Sequence, residues 1–140
     1  MRPNASRGAA VGDYDNDGDM DILINSVNGP PELLRADSSN KNRWIEIKTI
    51  GVKSNRDGIG ARIKLLTADG SQIDEVRSGG SYYSQSDLRV HFGLGQNQRV
   101  KTVEIRWPSG QIDTLMDLAV NQLITVKEGT GIVKTTPHIK

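Results

Sequence analysis

Ala9-Ala10-Val11-Gly12-Asp13-Tyr14-Asp15-Asn16-Asp17-Gly18-Asp19-Met20-Asp21-Ile22-Leu23-Ile24-Asn25-Ser26-Val27 sets five aspartates on alternate positions, from Asp13 to Asp21, between two apolar runs. The runs are short, the second is rich in β-branched residues, and turn signals bound both. They read as strands, and the acidic stretch as the loop that joins them. Carboxylates this close repel one another, so a chain that keeps them has use for a cation. The spacing matches the first nine positions of a calcium loop. Asp13, Asp15 and Asp17 stand at 1, 3 and 5, Gly18 at 6 where the chain turns sharply, the main-chain carbonyl of Asp19 at 7, and Asp21 at 9. Position 12, the bidentate Glu of a helix–loop–helix site, is Ile24. The site is therefore not of that kind, and the expected affinity is weak, with a Kd of about 10⁻⁴–10⁻³ M. Two other readings stand beside calcium. Asp and Gly are common in turns, so the stretch can be a solvated acidic turn. Magnesium is a rival that demands near-octahedral geometry and keeps its waters. A catalytic metal needs an open position beside a nucleophile or base, and no such group lies nearby in the sequence.

The composition fits the strand reading. The chain has 140 residues, 15 glycines and only 4% aromatic residues, which favours short strands and turns over long helices. It has no cysteine, hence no disulfide framework and no thiolate zinc site. No apolar run approaches the ~18 residues of a membrane span, and the first residues show no signal-peptide h-region. The formal charge of +1 hides an asymmetry. Residues 1–37 carry seven acids and three bases, and the remainder ten acids and fifteen bases. The basic excess is spread along the sequence, which is a poor case for nucleic acid.

Three strands are expected at 8–12, 22–27 and 32–36, with Asn28-Gly29-Pro30-Pro31 as a turn. The polar run Asp37 to Asn42 is the best boundary. Beyond it, seven alternating segments fall between turn signals: Trp44–Thr49, Ala61–Leu65, Gln72–Arg77, Leu88–Phe92, Val103–Trp107, Gln111–Leu115 and Leu123–Val126. This pattern reads as an antiparallel β-sandwich over residues 43–128, followed by a flexible tail at 129–140. Helical periodicity is absent, apart from one candidate turn near Asp117 to Asn121.

Arg7 to Ile22 resembles an FG-GAP (VCBS-type) repeat, the blade unit of integrin-like β-propellers. The remainder resembles the ASPIC/UnbV domain. It carries, in order, Gly58-Ile59-Gly60-Ala61-Arg62, Gly79-Gly80-Ser81-Tyr82-Tyr83-Ser84-Gln85, His91-Phe92-Gly93-Leu94-Gly95 and Trp107-Pro108-Ser109-Gly110. Each piece alone is weak, and their order makes the match specific. The resemblance implies an all-β protein: a partial propeller blade at 7–37 with calcium in its loop, then the sandwich. It also implies an extracellular, periplasmic or cell-surface location. One blade unit is present where propellers have 4–8, so the start resembles a piece of a longer protein.

The expected function is a non-catalytic, calcium-binding module for a protein or glycan partner, with Asp13, Asp15, Asp17, Asp19 and Asp21 as the metal set. Tyr82 and Tyr83 offer rigid amphipathic contact surface on a Gly-rich segment; alternatively they pack on the sandwich and the glycines make a bulge. Trp107 is a core or rim residue or a ligand platform. His91, beside Phe92, reads as packed or hydrogen-bonded, and His138 has no context. Gly58 and Gly60 read as turn glycines with positive φ. Asn4-Ala5-Ser6 fits a glycosylation sequon, a short match that arises by chance. The alternative is an enzyme or accessory factor of bacterial secondary metabolism, implied only by relatives in enediyne gene clusters. A Ser–His–acid triad can be assembled from distant residues, but no Gly-x-Ser-x-Gly elbow is present.

Overall fold

The computed structural model describes residues 5–38 and 40–138, which form eleven strands and no helix. Asn4 of the sequon lies outside the described residues. The described chain divides into two compact units, residues 5–38 with 78–87, and residues 40–77 with 88–138.

The first unit is a three-stranded sheet of β1 (Ala5–Gly12), β2 (Asp21–Val27) and β3 (Glu32–Leu34), in that order. β1 and β2 are antiparallel, with Gly12 opposite Asp21 at one end and Ala5 opposite Val27 at the other. The aspartate stretch is therefore the connection between two paired strands. β3 returns along β2, with Ile22 opposite Leu34. The sheet leaves Val11, Ile22, Leu23, Leu33 and Leu34 exposed. Residues 78–87 belong to this unit, although the sequence places them in the middle of the sandwich. The Asp87 N–H donates to the Val11 carbonyl at 2.9 Å, and the Val11 N–H donates to Ser86 Oγ at 3.2 Å. Gly8 allows the approach, since a Cβ there would lie 2.9 Å from the Tyr83 carbonyl oxygen and 3.2 Å from that of Tyr82.

The second unit holds two four-stranded sheets. One has the order β11-β10-β4-β7, from β4 (Arg43–Ile50), β7 (Val90–Gly95), β10 (Gln122–Lys127) and β11 (Gly131–Pro137). The other has the order β6-β5-β8-β9, from β5 (Arg62–Leu66), β6 (Ser71–Glu75), β8 (Arg99–Arg106) and β9 (Ile112–Ala119). Alternate residues of both sheets turn inward. Ile45, Ile47, Phe92, Ile124 and Val126 of the first share one buried cluster with Ile63, Leu65, Val103 and Ile105 of the second.

Two expectations change here. The first sheet is mixed, because β4 and β10 run parallel with Ile47 beside Ile124. Alternation looks the same in either orientation, and the partners lie far apart in the chain, so no hairpin signal marks them. The expected flexible tail is replaced by β11, which pairs antiparallel with β10. Gly129 and Gly131 take φ of +70° and +89°, and the Thr130 N–H bonds the Lys127 carbonyl at 2.9 Å. β11 is an edge strand with mostly exposed side chains, so its composition imitates a tail.

Candidate functional site

Asp13 directly follows β1 and Asp21 begins β2, and the pairing of Gly12 with Asp21 holds them at the same end of the ladder. Asn16 (φ +60°) and Gly18 (φ +93°) turn the chain between them. Both carboxylates are buried, at 0% and 2% exposure, and both are met by main-chain donors. Asp13 accepts from the N–H of Asp17 at 3.0 Å and of Gly18 at 2.8 Å. Asp21 accepts from Tyr14 at 3.2 Å and Ala36 at 2.8 Å. Asp15 is the exposed third member. One carboxylate oxygen from each of Asp13, Asp15 and Asp21 lies within 4.8 Å of the others. Oxygens that share a calcium ion at about 2.4 Å can stand no farther apart than about 4.8 Å, so the three meet the spacing that a shared hard cation requires. Asp17 and Asp19 fall outside the triplet: Asp17 accepts from the Asp19 N–H at 2.9 Å, and Asp19 from the Ser38 N–H at 2.8 Å. Arg35 adds positive charge, 2.8 Å from Asp37 and 3.4 Å from Asp15. These two carboxylates, Asp37 foremost, raise its pKa further.

Tyr82 and Tyr83 form the tip of a tight turn closed by a bridge between Ser81 and Ser84. They are 65% and 82% exposed. Their rings meet edge to face with centroids 4.5 Å apart. The Gly79 N–H bonds Gln85 Oε1 at 2.6 Å behind the turn. Tyr83 has φ of +49°, an uncommon backbone for a bulky residue. The tyrosines are thus displayed, and neither belongs to a core.

Trp107 is withdrawn from the set of contact residues. It is 2% exposed within the core cluster, and its indole N–H donates to Asp113 Oδ2 at 2.8 Å. A Cβ on Gly58 would lie 3.0 Å from its ring and 2.7 Å from Thr49 Oγ1. Gly58 and Gly60 have φ of +70° and +90°, as turn glycines should. His91 stacks on Trp44 with centroids 5.9 Å apart, and His138 approaches the same indole at 6.0 Å. Both histidines are thus packed against an aromatic ring.

Glu128 carries no motif in the sequence, yet it is the centre of a polar cluster in the second unit. Its Oε2 accepts from the consecutive N–H groups of Val52, Lys53 and Ser54 at 2.6, 2.8 and 2.9 Å. Its Oε1 accepts from Ser54 Oγ at 3.0 Å and from the hydroxyl of Ser109. Burial alone would raise its pKa, but the hydrogen bonds from Ser109, Ser54 and Val52 overcome that and bring it to about 2.

The family described as ASPIC and UnbV matches residues 51–133, more than half of the chain. The chain belongs to the ASPIC and UnbV family. Among curated proteins, cartilage acidic protein 1 of Xenopus tropicalis is 29% identical over 111 residues, covering 76% of this chain and 17% of that protein. Those of Mus musculus and Homo sapiens are 29% identical over 112 residues, covering 75% of this chain and 17% and 16% of their own lengths. The chain spans about a sixth of the length of these relatives. Within this ASPIC and UnbV chain, the family match takes in the tyrosine turn, Trp107 and Glu128, and it begins beyond the aspartate loop. No helix among the described residues is long and apolar enough to cross a membrane.

Proposed function

We propose that this ASPIC and UnbV chain is a non-catalytic extracellular module that binds a protein or glycan partner through the Tyr82–Tyr83 turn, with calcium held in the Asp13–Asp21 loop. The exposed tyrosine pair carries the reading. Two large rings in solvent, braced against each other on a turn that leads into Ser86 and Asp87, which hydrogen-bond β1, form a preorganised contact surface that loses little side-chain entropy on binding. In an enzyme these rings would be drawn into a concave site beside a base. The three-stranded sheet is proposed to be a blade of FG-GAP (VCBS) type, and the second unit a β-sandwich. The exposed apolar residues of the small sheet support further blades in the full protein, since three strands gain independent stability only by packing on something. An extracellular location accords with the relation to cartilage acidic protein 1 and with a weak calcium site, which fills only where calcium is millimolar.

Calcium would be held by Asp13, Asp15 and Asp21, and would offset the repulsion of their carboxylates. The test is thermal unfolding in millimolar calcium, in chelator and in magnesium. Millimolar calcium, at about one to ten times the expected Kd, adds about 0.4–1.4 kcal/mol to the folded state, a shift of a few degrees. The expected result is a rise with calcium alone, abolished in Asp15→Asn, which leaves the main-chain bonds of Asp13 and Asp21 in place. An unchanged melt in all three media would mean that those bonds close the loop without an ion. The contact role is read separately on a glycan array and with purified extracellular-matrix proteins: binding is expected for the native chain and lost in Tyr82→Ala/Tyr83→Ala.

A further inference from the structure

The outer face of the β6-β5-β8-β9 sheet gathers basic residues that the sequence scatters. Arg62 and Lys64 of β5 and Arg106 of β8 line an open groove of about 360 Å³ with Ile73 of β6 and Glu104 of β8. Arg62 stands directly opposite Arg106 in the β5–β8 ladder, and Lys64 opposite Glu104. Like charges facing each other across an antiparallel pair are destabilising. Among the described residues, Arg62, Lys64 and Arg106 enter no ion pair, whereas exposed Arg35, Arg77 and Arg99 each reach an aspartate. The groove lining therefore holds three cations against one carboxylate, Glu104, with Glu75 standing opposite Arg62 at its β6 side.

We propose that this groove binds an extended acidic peptide segment of a partner protein, with carboxylates on alternate residues. The spacing carries the choice. Arg62 and Lys64 are two residues apart on one strand face, about 6.6 Å along the strand. An extended ligand repeats its side chains at the same interval, so an acid–x–acid pattern meets them in step, and a guanidinium fork takes a carboxylate through two hydrogen bonds. Exposed Ile73 and, beyond Arg106 on β9, exposed Ile112 flank the cations and offer apolar contact to the aliphatic stems of those acidic side chains, while the intervening residues of the segment face away from the sheet. The outer positions of the four strands carry no aromatic ring, so bases and sugars find no stacking platform. Glu104 inside the groove disfavours a uniformly dense polyanion. The proposal is independent of the metal loop and the tyrosine turn.

The test is fluorescence anisotropy with the full chain in chelator, using a labelled octapeptide that alternates glutamate and valine, and its glutamine counterpart. The glutamate peptide is expected to bind and the glutamine peptide not. Arg62→Gln/Arg106→Gln should weaken binding by about tenfold or more, the loss of charge-assisted hydrogen bonds. Arg106→Gln alone should give an intermediate loss and, by relieving the opposed charges, an unchanged or higher melting temperature. Lys48→Gln/Lys127→Gln, which removes the same charge from exposed positions of the other sheet, should leave binding within about twofold, because screened charges at a distance contribute little. Equal binding of the two peptides, equal losses in the two double variants, or preference for a sulfated oligosaccharide or single-stranded DNA of matched charge would each overturn the proposal.

Discussion

Glu128 shows how a single side chain can hold a turn that has no secondary structure. Three successive N–H groups converge on one of its oxygens and two serine hydroxyls on the other. The carboxylate form is what these donors stabilise. With the pKa lowered from 4.5 to about 2 in the fold, the stabilisation is complete above the unfolded value and is lost as pH falls toward the folded one. Urea unfolding between pH 5 and pH 2 should show stability declining through that window, and Glu128→Gln should be less stable at pH 7 and show a flatter decline. Gly58 makes the complementary point about space. Its positive φ and its approach to Thr49 and Trp107 leave no room for a methyl group. Gly58→Ala should cost about 2–4 kcal/mol by urea denaturation, since backbone strain adds to overpacking, whereas an exposed glycine such as Gly80, with nothing near its Cβ position, should tolerate the change.

At the scale of elements, β1 depends on residues far along the chain. Its Val11 bonds Ser86 and Asp87, and the closeness of the tyrosine turn rests on the missing side chain of Gly8. Gly8→Ala should push the Tyr82–Tyr83 carbonyls away and loosen that pairing. Amide hydrogen exchange should then lose protection at Asp87 by about tenfold, the effect of roughly 1.4 kcal/mol on local opening, with exchange in β4 and β10 unchanged. Equal loss throughout would mean a global effect and not a local brace. β11 teaches a different lesson. An edge strand needs only backbone partners and one apolar face at most, so its exposed, polar sequence carries little periodicity to read.

In the whole molecule, stability is unevenly placed. The second unit has a core drawn from six strands, β6 and β11 contributing none of it, while the first is a three-stranded sheet with most of its larger apolar residues exposed. Calcium, bound as proposed, acts only on the first. Hydrogen exchange should therefore show protection rising in β1 and β2 on adding calcium and staying constant in β4, β5, β8 and β10. A uniform rise would place the ion elsewhere.

Much of this was legible in the residues alone. The eleven strands include the ten expected ones, because alternation and turn residues act locally. The aspartate stretch falls in a strand–strand connection for the same reason. The family was readable from Gly58, the Gly79–Gln85 segment and Trp107-Pro108-Ser109-Gly110 in their order. What the residues could not decide was everything set by distant pairing. The parallel union of β4 with β10, the assignment of residues 78–87 to the first unit, the burial of Trp107, the donor cage around Glu128 and the meeting of Arg62 with Arg106 all join positions through space. Local sequence patterns report which face of a strand is apolar; which strand lies beside it is chosen by the packing of the whole core and leaves no periodic trace in either partner.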